Sequence, residues 1–210
     1  MSLLPVGFGS AADDDYEITD SLRFRSASDA YLSRTFSTPT NNKKWSYSVW
    51  MKRGTLSTNQ TIISANVDGP NYWDMRFNTS DQIFIQNRVN SASPLVANTT
   101  AVYRDSSAWY HITFVFDSDN STASHRNRLY INGVEQTLSA NSGSGNASSW
   151  NVNAVQHNIG VSRTFNSSGA IWTEYDGYQT EANFIDGQAL APTDFGEYDA
   201  NGTWKAKKYT

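Results

Sequence analysis

Trp45-Ser46-Tyr47-Ser48-Val49-Trp50-Met51-Lys52-Arg53 alternates large apolar with small or charged side chains, Trp50 being the exception. Successive side chains of an extended strand point to opposite faces. Trp45, Tyr47, Val49 and Met51 therefore share one face, and Ser46, Ser48 and Lys52 share the other. The period predicts a half-buried antiparallel strand, its aromatic face on a core and its serine face in water. A helix would need apolar residues at three- and four-residue spacing, which this stretch lacks.

The same two-residue period recurs outward in both directions. Ile83 and Ile85 alternate with Gln82 and Gln86, and Tyr110, Ile112, Phe114 and Phe116 alternate with His111 and Thr113. Between Leu129-Tyr130-Ile131 and Val134-Glu135-Gln136 stands Asn132-Gly133, two residues that tolerate positive φ and favour the type I′ turn of a tight hairpin. Pro5, Pro39, Pro70, Pro94 and Pro192 are all expected outside strands, because proline donates no ladder hydrogen bond. Ser139 to Gln156, rich in Asn, Ser and Gly, is expected to be a loop, after which Ile159-Gly160-Val161 and Tyr178 to Leu190 return to strand. The pattern predicts one all-β domain, an antiparallel two-sheet β-sandwich, over residues 21–198. Residues 1–20 form an arm and 199–210 a tail.

Composition narrows the function. Only 17% of the 210 residues are charged, against about 25% in an average soluble domain, and Ser, Thr and Asn supply the remaining surface polarity. A formal net charge of -4 offers no field to hold a polyanion, so no nucleic-acid partner is expected. The absence of cysteine removes thiol nucleophiles, thiolate zinc sites and disulfides together. No segment is apolar enough to span a bilayer, and Met1 to Phe8 lacks the basic start and apolar run of a signal peptide, so synthesis in a cytoplasm and no membrane partner are expected.

In order along the chain, Trp45 to Lys52, Trp109 to Asp117, Leu129 to Val134, Ile159-Gly160, Gly177-Tyr178 and Phe184 to Leu190 resemble the strands of laminin-G-like, concanavalin A-like domains. Gly7-Phe8-Gly9-Ser10 and the closing Phe184 to Leu190, Asp194 to Glu197 and Trp204-Lys205 resemble laminin-G-like proteins encoded among the structural genes of tailed bacteriophages, marine and cyanobacterial ones above all. The resemblance implies a jelly roll and a non-enzymatic virion component, structural or decorative, on the capsid or tail. Its partners would be neighbouring virion proteins, and it is compatible with a homo-oligomer and with a chain that continues past Thr210. The alternative is an adhesin recognising host surface polysaccharide, with a divergent glycosidase third.

Candidate sites follow from side-chain chemistry. Glu174-Tyr175-Asp176 with Glu181 superficially matches a glucanase carboxylate strand, but Glu181 lies an odd number of residues from the other two and would point to the opposite face. His111, His125 and His157 are dispersed and no nucleophile elbow is present, so no catalytic residue is expected. No cofactor is expected either, with calcium the one candidate: Asp117 and Asp119 beside Asn120 offer hard oxygen ligands. Looser acidic clusters stand at Asp68, Asn71 and Asp74 and at Asp199 and Asn201. Tyr72, Trp73, Trp150 and Trp172 are the candidate glycan or partner contacts, since aromatic rings beside amides suit both. Leu3, Leu4 and Phe8 in the arm, and Trp204 and Tyr209 in the tail, are expected to be buried by neighbouring virion proteins.

Overall fold

The computed structural model describes residues 16–68, 70–139, 154–163 and 171–210, and among them there is no α-helix, only three short 3-10 turns. The strands are β1 (Leu22–Phe24), β2 (Leu32–Thr35), β3 (Lys44–Arg53), β4 (Gln60–Asp68), β5 (Asn71–Phe77), β6 (Ile83–Val89), β7 (Ala92–Thr99), β8 (Tyr110–Asp117) and β9 (Asn127–Ile131). They continue as β10 (Val134–Glu135), β11 (Leu138–Ser139), β12 (Gln156–Ile159), β13 (Val161–Arg163), β14 (Ile171–Glu174), β15 (Gly177–Asp186), β16 (Gly196–Tyr198) and β17 (Trp204–Ala206). A six-stranded sheet runs β1-β15-β3-β8-β9-β10 and a seven-stranded sheet runs β11-β7-β6-β5-β4-β12-β2. All their pairings are antiparallel. The two sheets pack as the expected sandwich.

The core is the set of inward alternating positions. Trp45, Tyr47, Val49 and Met51 of β3 and Ile112, Phe114 and Phe116 of β8 meet Ile63, Ala65, Trp73, Met75, Phe77, Ile83 and Ile85 of the facing sheet. The Trp45 ring lies 5.0 Å from Trp73, 5.1 Å from Phe184 and 5.4 Å from Phe114, which joins both layers at one aromatic node. Asn132 and Gly133 take φ of 49° and 78°, as the type I′ turn between β9 and β10 requires.

Two local expectations are corrected. Pro94 falls inside β7, where the ladder with β6 shifts register between Asn87 and Val89; an irregular ladder spares the missing donor. The serine face of β3 is not wet: Ser46 and Ser48 are buried, as are His111 and Thr113 on β8. The chain after β15 lies across this outer face. Ser46 donates to the Gln188 carbonyl and accepts from the Leu190 amide, and β16 and β17 bring Trp204 onto His111. Residues 199–210 thus pack on their own sandwich rather than standing away from it.

Candidate functional site

In the seven-stranded sheet, inward Trp73, Met75, Ile83 and Ile85 leave the intervening residues on the outer face. Directly opposed residues of neighbouring strands share a face, so two rows, polar except at Val96, cross it. One runs Asn158, Ser64, Asp74, Gln86, Val96 over five strands, the other Gln156, Asn66, Tyr72, Arg88 over four. Arg76 and Phe84 oppose each other beside them, with the guanidinium 4.1 Å from the ring centre.

Several of these groups are buried without hydrogen-bond partners. Asn66 and Asn158 are 2% and 0% exposed, and neither amide nitrogen nor amide oxygen of either has a partner among the described residues. Asp74, equally buried, pairs one carboxylate oxygen with Arg76, and the other has no partner among the described residues. Burial raises the Asp74 pKa, and the Arg76 cation pulls it back in part. A buried polar group without a partner costs about 1–3 kcal/mol, so five such atoms on one face are a standing cost to the fold. Ser64, by contrast, donates to the Val161 carbonyl at 2.7 Å, under the β13–β14 hairpin. Gln86, Arg76 and Arg88 form the more open side of the patch, and buried Tyr72 reaches Gln86 Oε1 with its hydroxyl at 3.5 Å.

The sequence-derived candidates scatter. Tyr72 belongs to this face, but Trp73 does not: it is fully buried in the core, because it alternates with Met75 and Phe77 in a strand and not in a loop. Trp150, Leu3, Leu4 and Phe8 lie outside the described residues, as does the side chain of Trp172. Trp204 is buried against its own domain, leaving little surface for a neighbour, and Tyr209 packs 5.1 Å from Phe195. Asp117 pairs with Lys44 and Asp119 with Lys43, so each proposed calcium ligand already faces a cation. Asp68 caps the Asn71 amide and Asp199 caps those of Asn201 and Thr203. No group of three or more metal-ligating side chains occurs among the described residues.

The carboxylates near β14 and β15 are also engaged. Asp176 accepts from Thr55 and pairs with Arg23, while burial and the neighbouring Asp29 carboxyl raise the Glu174 pKa. Glu181 sits at φ 49° in a bulge between Thr180 and Asn183, which takes it out of the regular ladder. The outer face of the six-stranded sheet has a cavity of about 440 Å³ beside Trp50, Trp109, Tyr16 and Asp20. Asp20 there accepts from Thr19 and Thr180, and the Trp50 indole nitrogen has no partner among the described residues. Asn66, Asn158 and Gln86 were missed in the sequence, although Ser64/Asn66, Gln156/Asn158, Asp74/Arg76 and Gln86/Arg88 are polar pairs at strand period.

Residues 25–192 match the family described as Laminin_G_3, concanavalin A-like lectin/glucanases superfamily. No curated protein matches the sequence. Among solved structures, a native heptameric SAP-like pentraxin from Limulus polyphemus is 15% identical with a TM-score of 0.53, covering 77% of this chain and 71% of that one. The CBM40 of Ruminococcus gnavus IT-sialidase bound to alpha2,3 sialyllactose is 12% identical with a TM-score of 0.55 over 78% of this chain and 95% of that one. Domains LG4-5 of the mouse laminin alpha1 chain are 13% identical with a TM-score of 0.54; the match covers 84% of this chain and 42% of theirs. At these identities the likeness is one of fold.

Proposed function

We infer that this chain, which belongs to the concanavalin A-like lectin/glucanases superfamily, is a non-enzymatic binding module whose seven-stranded sheet takes a carbohydrate on its outer face. The observation that carries this reading is the open part of that face, where part-exposed Gln86, Arg76 and Arg88 stand around Phe84, the Arg76 guanidinium 4.1 Å from its ring centre. A sugar hydroxyl both donates and accepts, so it matches the Gln86 amide on either atom, and the Phe84 ring with Arg76 and Arg88 at the same face adds an apolar surface and further polar contacts. The sialyllactose in the CBM40 structure supports the fold as a carrier of such sites, without assigning residues here. The engagement of Asp176 by Arg23 and Thr55, and the bulged position of Glu181, support a role other than hydrolysis.

The carrier we propose is the particle of a tailed bacteriophage, on the resemblance of the motifs at both ends of the sequence. The module would then be a surface component, held among virion proteins and presenting the sheet to host polysaccharide. A glycan array with the wild-type protein and with Gln86→Ala and Arg88→Ala tests the reading. Selective, saturable binding that falls at least about tenfold in both variants is expected. No selective binding, together with presence of the protein in intact particles, would replace it with a purely structural role.

A further inference from the structure

Strands β1 and β2 end their respective sheets, β1 beside β15 and β2 beside β12. Along this side of the sandwich the two layers leave openings of about 390 and 570 Å³ that share Leu32, Ile159 and Ala182. The bulge of β15 between Thr180 and Asn183 brings Glu181 and Ala182 to this rim. The walls are largely apolar, with Phe24 in the smaller opening and Phe36, Ile63 and Phe184 in the larger, while Asp20 and Glu181 also line the smaller and Arg34 the larger. Leu22 and Leu32 stand about half exposed at the mouth, 54% and 47%.

Three buried polar side chains line this cleft without satisfying their hydrogen bonds. The Tyr47 hydroxyl, at 1% exposure, has no partner among the described residues, and neither amide atom of Gln179, at 2%, has one. His157, at 4%, places Nδ1 3.1 Å from the Val155 carbonyl. A carbonyl only accepts, so Nδ1 carries the proton and Nε2 is an acceptor without a partner among the described residues. Burial holds the imidazole neutral by lowering its pKa to about 4. The ring is fixed between Phe36, 4.2 Å away, and Phe184, 5.3 Å away.

We propose that this cleft is a second binding site, for a neutral, hydroxyl-bearing hydrophobic molecule inserted between the sheets. Its apolar body would occupy the space between Phe24, Phe36, Ile63, Ile159 and Phe184. Its hydroxyl would donate to His157 Nε2 and meet Tyr47 or Gln179. The volume falls within the range of about 300–1,000 Å³ usual for small-molecule sites, which combine apolar walls with a few placed polar groups. Formal charge on the ligand is disfavoured, because the buried groups facing it are neutral and an unpaired ion would be desolvated. The site is separate from the carbohydrate face, which lies on the other side of the seven-stranded sheet.

Titration of the full chain with 2-naphthol, followed by its fluorescence, tests the assignment beside 2-methoxynaphthalene, which has the same rings but no donor. One saturable site per chain is expected, with 2-methoxynaphthalene at least about tenfold weaker, the equivalent of one lost hydrogen bond. Tyr47→Phe should weaken 2-naphthol several-fold. Leu32→Trp, at an exposed position and so tolerated by the fold, should block the mouth and abolish binding while leaving glycan binding unchanged. Absence of saturable binding overturns the proposal. So does equal affinity for both probes, or binding that survives Leu32→Trp undiminished.

Discussion

Trp204 Nε1 donates a hydrogen bond to His111 Nδ1 at 2.9 Å, across 93 residues of sequence, and the two rings lie 24° from parallel. This contact fixes the tautomer: Nδ1 accepts, so Nε2 carries the proton and donates to Ser48 Oγ at 2.8 Å. Trp50 covers the other side of the imidazole at 4.9 Å. The C-terminal hairpin is thereby locked to the six-stranded sheet through a neutral, fully buried histidine.

Burial lowers the His111 pKa to about 4, and that of His157 likewise, against about 6.5 in an unfolded chain. Between these values the unfolded chain binds protons that the folded chain does not. The stabilisation is therefore complete above about pH 6.5 and is lost as the pH falls toward 4, by of order 3 kcal/mol per histidine. Urea midpoints measured at pH 7, 5.5 and 4.5 should fall steadily, and His111→Gln should flatten the decline. A midpoint unchanged down to pH 4.5 would contradict the assignment.

Trp204→Ala should cost about 3–5 kcal/mol, since it empties a buried site and uncovers His111. The same ring leaves no room at two glycines: a Cβ on Gly196 or Gly133 would stand 2.5 Å from indole carbons. Gly196→Ala should therefore also destabilise, although its backbone conformation is ordinary. Thermal unfolding of the two variants checks both, and a Gly196→Ala protein as stable as wild type would show that the hairpin is free to shift.

Ile112→Ala or Phe114→Ala should each cost about 2–5 kcal/mol, both side chains being fully buried between the sheets. Chemical denaturation gives the number directly. Losses below about 0.5 kcal/mol would mean that the core collapses around the gap.

Asp81 accepts from the Ser57 amide and pairs with Arg104 and with fully buried Arg53. Burial alone would raise its pKa, yet these partners hold it below the ordinary value. Asp81→Ala should cost about 3–5 kcal/mol, because it leaves the Arg53 cation in the interior without its counter-charge. A double variant with Arg53→Met should recover much of that loss, which a double-mutant cycle would read.

Calcium should leave the melting temperature unchanged, since Lys44 and Lys43 already occupy the charge of Asp117 and Asp119. A rise of many degrees with calcium, reversed by EDTA, would place an ion where those lysines are.

The strands were legible because their inner faces are. Trp45, Tyr47, Val49 and Met51, like Ile112, Phe114 and Phe116, sit where a two-residue period puts them, and Asn132-Gly133 turns where only such residues turn easily. Trp73 was misplaced although Trp73, Met75 and Phe77 alternate as clearly, because Tyr72-Trp73-Asp74 in isolation has the composition of a binding loop. The candidate site was half legible. Asn66, Asp74, Gln86 and Asn158 each sit at a non-core position of the alternation, but that β12 lies beside β4 follows from strand order, which local period does not encode.

Sequence by itself determined which residues share a face, since side-chain direction along a strand depends only on parity. It determined also that no thiol chemistry exists here and that the I′ hairpin forms. Tertiary structure decided which faces are covered and by what. Ser48 and His111 were polar positions on an outward face until the hairpin carrying Trp204 packed over them; Asn66 and Asn158 became neighbours only when distant strands paired. Burial is a property of whatever segment folds over a surface, however far away in sequence, and no local pattern records it.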